Sequence, residues 1–433
     1  MRTLGLLSVL ALTPGLSHAL TLEQSVAETL NTNPRLMQKY ASFEAKYRDK
    51  RSAFSEYLPQ VRLYAAYGYE NVNYKSGQEL DSELNRREIG LKITQMLFDG
   101  FRTSSEVARL DNEAKADQLG LISAAENISL EVVQVYLDLL KSVELVHLSE
   151  QNIEIHRKIL NDIEQRRKRG LSSDADVAQV QSRLATSQSS HLAAQNNLQD
   201  IKANYYDLVG QYPEDLMIPK ADETYLPATL EDAVSIAKKS HPEIAAAIFD
   251  IEAANSQIER EKSDYWPKVS LEFDVADNNN ITGAPGRDEN GRVMLTMSYD
   301  LYSGGRTNAQ TDAAKWRYQE AVAVKDTTHR QVEEATNFAW NANMFLAKQK
   351  GFYQENVGFA EVAQRGYERQ FDLGRRSLLD VLDSQIELFT ARRNYIESDY
   401  DQREASFRLI NATGRLVKAL RVDKPDAWLL GDR

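Results

Sequence analysis

The chain has 433 residues, a formal net charge of −12 and no cysteine. Its length suffices for a large core or several domains. The acidic balance argues against nucleic acid as a partner, and the missing cysteine excludes disulfides and thiolate metal sites while suiting an exported protein.

Residues 1–19 read as a secretory signal: Arg2, the apolar run from Leu4 to Leu12, the break at Pro14 and Gly15, and the small-x-small site Ser17-His18-Ala19. No cysteine stands at the cleavage site, so a lipoprotein is not expected. No later run approaches the ~20 apolar residues of a spanning helix, so any membrane span has to be built from strands.

A first repeat is expected over residues 20–210. Thr21 to Leu30 and Pro34 to about Tyr57 predict helices, divided at Asn33-Pro34 and ended at Pro59. From Val61 the period becomes two. Val61, Leu63, Ala65, Tyr67 and Tyr69 alternate with Arg62, Tyr64, Ala66 and Gly68, which predicts a strand over 60–74. After a polar loop, Asn71 to Ser82, Ile89, Leu91 and Ile93 alternate with Glu88, Gly90 and Lys92 and predict a second strand over 84–98. From Thr103 to about Arg167 the pattern is helical without a break. About 60 residues at 1.5 Å each span roughly 90 Å, a rod that suits a coiled coil and no compact globule. Arg169-Gly170-Leu171-Ser172-Ser173-Asp174-Ala175-Asp176 predicts a turn, with a helix returning from Ser173 to about Leu208.

After a linker over 211–228 the pattern recurs. Thr229 to Leu271 aligns with Thr21 to Leu63 without a gap, Pro242 on Pro34, Tyr265 on Tyr57 and Pro267 on Pro59. Strands are expected over 268–277 and 291–302, with the loop Asp277–Gly291 between them. The second turn, Gly374-Arg375-Arg376-Ser377-Leu378-Leu379-Asp380, places Gly374, Ser377 and Asp380 each 204 positions after Gly170, Ser173 and Asp176. The second repeat therefore covers 229–420, and 421–433 is a C-terminal tail. This is an internal duplication with two strands and one long helical hairpin per half.

Open strand edges are prohibitive in lipid, and four strands are fewer than the roughly eight of the smallest barrels. A membrane span built from this chain therefore needs several copies. Tyr64, Tyr67, Tyr69 and Tyr74 are candidates for an interfacial aromatic girdle.

The duplicated pattern and the two turns, Gly374-Arg375-Arg376-Ser377-Leu378-Leu379-Asp380-Val381-Leu382-Asp383 and Gly170-Leu171-Ser172-Ser173-Asp174-Ala175-Asp176-Val177, resemble the TolC family of outer-membrane channel-tunnels over essentially the whole mature chain. The resemblance implies a mixed α and β fold. Three copies close one outer-membrane β-barrel of about twelve strands, four from each. Long helices continue it as an α-barrel across the periplasm. It implies a passive homotrimeric duct served by a periplasmic adaptor and an inner-membrane ABC transporter or other pump, in contact with outer-membrane lipid.

By matching motif positions, Asp380 and Asp383 correspond to an acidic pore constriction. There, carboxylates from neighbouring copies would raise one another's pKa and attract cations. Asp176 and Arg376 match two positions of the entrance latch. Phe371 and Ala175 depart from that pattern by lacking hydroxyls, so a latch here has to use other groups, Arg375 or Arg365 among them. Gly170, Leu171, Ser172, Gly374 and Arg375 correspond to adaptor-docking tips. The basic run Arg166–Arg169 beside the first turn reads as a docking rim or a solvated helix end. No catalytic constellation, metal motif or cofactor motif is present. The turn around Gly374 looks most like members that export large proteins, so type I secretion of an adhesin or toxin is the expected role. Small-molecule efflux is the alternative within the class, and a structural periplasmic coiled-coil protein the alternative outside it.

Overall fold

The chain's architecture was obtained as a computed structural model that describes residues 21–74, 80–213 and 216–429. The expected signal, residues 1–19, and residues 75–79 of the first strand loop lie outside these.

Cap chemistry sets the element boundaries. Thr21 and Gln24 form a reciprocal capping box that starts α1 (Leu22–Thr32), and Thr229 caps α5 (Leu230–Ser240) in the same place of the second half. Pro34 and Pro242 open α2 (Pro34–Phe54) and α6 (Pro242–Lys262), where a missing N–H costs nothing. The strands are β1 (Gln60–Tyr74), β2 (Leu80–Phe98), β3 (Lys268–Asn279) and β4 (Arg287–Ser298). Two helices of 67 residues each follow the hairpins, α3 (Arg102–Lys168) and α7 (Arg306–Asp372). Their returning partners are α4 (Asp174–Val209) and α8 (Leu378–Ala412), and a short α9 (Leu416–Ala419) follows α8. Among the described residues, no helix is long and apolar enough to cross a membrane.

The chain divides into two units. One gathers residues 38–123 and 242–331 and contains the sheet. Its strands run antiparallel in the order β1-β2-β3-β4, so β1 and β4 are its edges. One face is polar. Lys92 pairs with Glu272 at 2.8 Å, and Arg292 reaches Asp274 at 3.7 Å. The other face is apolar and uncovered: Leu63, Tyr67, Tyr69, Leu91, Phe273, Val293 and Leu295 are all exposed. This is the inverse of a soluble sheet, and it is the pattern of a barrel with lipid outside and water inside.

Three sequence expectations change here. Tyr64 does not join a girdle, because it faces Gly90 across the pair and lies where a Cβ on Gly90 would be. Tyr67 and Tyr69 remain on the apolar face, and the side chain of Tyr74 lies outside the described residues. The second strand starts at Leu80 and not near 84, because ladder hydrogen bonds continue after the apolar alternation has stopped. The fourth strand covers 287–298 and not 291–302. Pairing ends at Lys268 with Ser298, next to Pro267, which has no N–H to offer, so Tyr299 and Leu301 lie beyond it.

The other unit gathers 21–37, 124–241 and the chain from 332 onward. Its linker is anchored and not loose. The Tyr136 hydroxyl donates to the Met217 carbonyl at 2.8 Å and accepts from the Met217 N–H at 3.0 Å. Arg415 donates to the Tyr225 carbonyl at 3.0 Å. The C-terminal segment is held by Glu126 of α3, which is buried and accepts from the N–H groups of Leu416 and Val417 at 2.6 and 3.2 Å. Burial pushes this carboxyl's pKa up, opposed by the two backbone donors and by Lys424. Replacing Glu126 with Ala strands two buried N–H groups and is expected to cost about 2–4 kcal/mol locally. Limited proteolysis of the folded variant should then cut first between Gly414 and Lys424; an unchanged cleavage pattern would show that α9 is held by other contacts.

Candidate functional site at the paired helical turns

Both turns are built by the same chemistry. At the end of α3 the Gly170 N–H reaches the Arg167 carbonyl and the Leu171 N–H reaches the Arg166 carbonyl, each at 2.9 Å. At the end of α7 Gly374 and Arg375 do the same to Phe371 and Gln370, at 2.9 and 2.8 Å. This pair of bonds needs a left-handed residue, and Gly170 and Gly374 have φ of +73° and +69°.

The returning helices start with capping boxes. Ser377 Oγ accepts from the Asp380 N–H at 3.2 Å and donates to Asp380 Oδ2 at 2.7 Å, while the Ser377 N–H donates to the same oxygen. These bonds, and then Arg376 at 3.7 Å, hold the Asp380 carboxyl below the usual aspartate range. Within one chain this is the opposite direction from the rise expected of carboxylates crowded between copies. Asp176 is lowered likewise, by the Ser173 N–H and by the hydroxyls of Ser172 and Ser173, all on Oδ2.

The other predicted residues are placed as follows. Asp383 is exposed and meets Arg183 of α4 at 3.1 Å. Arg376 stacks over the Tyr367 ring at 4.5 Å and donates to Gln370 at 3.0 Å. Leu171, Gly374 and Arg375 are exposed at the outer ends of the turns, and Ser172 is half-buried.

Besides Arg183 with Asp383, a second contact joins the two hairpins, and it was not among the predicted ones. Arg166 of α3 donates to Asp372 of α7 at 2.7 Å, and its guanidinium lies over the Phe371 ring at 4.6 Å. Phe371 thus serves as a cation–π acceptor. Beneath it Ile163, Val177, Val180, Leu378 and Leu382 form one buried cluster drawn from α3, α4 and α8. A signal for this existed in the sequence. Lys168 and Asp372 are repeat-equivalent, so the two turns carry opposite charges at one position.

An exposed apolar sheet face and long helices ending in charged turns fit a membrane-spanning channel protein. Comparison with known proteins gives the family. The family model described as outer membrane efflux protein matches residues 26–211 and 233–415. The outer membrane efflux protein BepC of Brucella suis is 26% identical over 413 residues, covering 95% of this chain and 89% of BepC. The alkaline protease secretion protein AprF of Pseudomonas aeruginosa is 21% identical over 356 residues, covering 80% of this chain and 73% of AprF. The crystal structure of the outer membrane protein VceC of Vibrio cholerae shares the fold, with a TM-score of 0.78 at 21% identity, covering 91% of this chain and 96% of VceC. The chain belongs to the outer membrane efflux protein family, that of the TolC channels. Its place is the outer membrane and the adjoining periplasm.

Replacing Ser377 with Ala is expected to lower stability by about 1 kcal/mol, the usual worth of an N-cap. The depressed pKa of Asp380 means that the cap stabilises at neutral pH. That contribution is lost as pH falls below the ordinary aspartate range through the lowered folded value. Comparing denaturation midpoints of wild type and Ser377→Ala at neutral and strongly acidic pH checks both; a difference that grows on acidification would contradict the assignment.

Proposed function

We propose that the chain forms a homotrimeric outer-membrane exit duct serving type I secretion of a large protein, with the helical turns as its gated periplasmic entrance. The observation that carries the entrance reading is the acidic pair at the start of α8, half-buried Asp380 and exposed Asp383. Asp380 is fixed on its cap and Asp383 stands one turn further along the same helix, so each copy presents two carboxylates side by side. Carboxylate rings attract cations and exclude anions. Asp176 and Arg376 sit beside this ring on their own turns and are the groups available for latching between copies. Arg166, with Asp372 and Phe371, ties the two hairpins of one copy together and supplies the contact that the missing hydroxyls of Phe371 and Ala175 do not.

The reading of a protein cargo rests on the turn sequence around Gly374, the absence of a lipid-anchor cysteine and the secretion role in the name of AprF. The efflux role in the name of BepC supports the second reading, a small-molecule pump. Deleting the gene and following both the secreted proteins and drug tolerance separates them. Loss of a large secreted protein with unchanged tolerance supports secretion; the reverse supports efflux.

In planar bilayers the double change Asp380→Ala, Asp383→Ala is expected to weaken cation selectivity and block by divalent cations. Unchanged selectivity would mean that these residues serve only the helix start. The tips carry Lys168, Arg169 and Arg375 without a salt bridge beside the exposed Leu171 and Leu373, a surface suited to an acidic, partly apolar hairpin of an adaptor. Changing Arg169 and Arg375 to Glu should abolish adaptor co-purification while leaving the trimer in the outer membrane; retained co-purification would place docking elsewhere.

A further inference from the structure

Helix α7 carries four phenylalanines seven residues apart, Phe338, Phe345, Phe352 and Phe359. They are 58, 66, 70 and 73% exposed. A seven-residue repeat follows one face of a helix and is the period of a coiled-coil seam. Four rings left in water on one stripe call for a cover.

The duplication identifies it. The residues of α3 equivalent to these four, 204 positions earlier, are Gln134, Lys141, Leu148 and Ile155. In α3 that stripe is used within the chain, against α8. Gln134 donates to Glu404 at 2.9 Å, and Lys141 lies 3.6 Å from Asp401. Leu148 and Ile155 share a small cavity wall with Leu388 and Phe389. Helix α8 is itself the repeat of α4. If α3 packs its stripe on α8, then by the same operation α7 packs its stripe on an α4, and the α4 in question belongs to the next copy.

The sheet leaves β1 and β4 as free edges, and a ring of copies closed by pairing β4 with the next β1 is head-to-tail.

The surfaces also fit in size. Read antiparallel, Phe359, Phe352, Phe345 and Phe338 fall opposite Ser182, Ser189, Asn196 and Ala203 of α4, all exposed. The repeat-equivalents of those four on α8 are Ile386, Arg393, Tyr400 and Phe407. Within one chain the bulk stands on α8 and the α3 stripe has no aromatic residue. Across the free faces the bulk stands on α7 and α4 is small.

We infer that the four phenylalanines of α7 seat as knobs between the small residues of α4 of an adjacent copy and form the helical seam between protomers. The inference deepens the exit-duct reading and rests on its claim that copies close a ring.

Because the chain has no cysteine, pairs can be introduced cleanly. Phe352→Cys with Ser189→Cys, and separately Phe345→Cys with Asn196→Cys, are expected to give covalent oligomers up to the closed ring when a short bismaleimide is added to isolated outer membranes. Phe352→Cys with Ala203→Cys, two heptads out of step, should not. An outer-membrane oligomer that forms normally but stays uncross-linked in both matched pairs would overturn the seam. So would Phe352→Cys that reacts fully with a bulky maleimide in the assembled protein and is shielded only when an adaptor is added. If the wild-type chain forms no oligomer in the outer membrane at all, it is the exit-duct reading that fails.

Discussion

Everything in this fold answers to the unpaired backbone of two edge strands. In water, an N–H or C=O left free at the edge of a sheet is satisfied by solvent. In hydrocarbon it is not, and each such group costs several kcal/mol. The sheet ends at β1 on one side and β4 on the other, and its apolar face is turned outward. One chain cannot satisfy both conditions.

The second organising constraint is electrostatic and local. At each turn a left-handed glycine ends one helix, and three residues on a serine starts the next, with an aspartate as its reciprocal partner. These bonds use few atoms and no partner molecule. They hold charged groups at set positions: Asp380 and Asp383 at the start of α8, and Arg169 and Arg375 at the tips of the two turns. The same carboxylate both caps its helix and presents charge. Structure and proposed gating are therefore not competing accounts of Asp380.

Much of this was legible in the sequence because it was written twice. Pro34 with Pro242, Gly170 with Gly374 and Ser173 with Ser377 located helix starts and ends within a residue or two, since each is a backbone requirement read locally. The strands were legible where apolar and polar residues alternate. Their outer ends were not, because backbone pairing past Asn71 and down to Arg287 needs no apolar side chain. Tyr64 was grouped with Tyr67 and Tyr69 by residue type, although the alternation already sets it with Arg62 and Ala66 on the opposite face; its pairing with Gly90 agrees with that face. Arg166 was hidden inside a run of four cations, and selecting it required knowing that Asp372 and Phe371 stand beside it. The phenylalanine stripe of α7 satisfies a helical period like any core position, and only its exposure tells it apart.

Helices α3 and α7 have the same length, 67 residues. Each residue advances a helix by about 1.5 Å and rotates it by about 100°. One residue inserted in α3 alone would carry Arg166 past Asp372 and turn it away. The two helices thus act as a matched pair of gauges. Evolution can lengthen or shorten this duct only by editing both together, in steps close to whole heptads, and a homologue of different reach should show paired insertions at equivalent positions in the two halves.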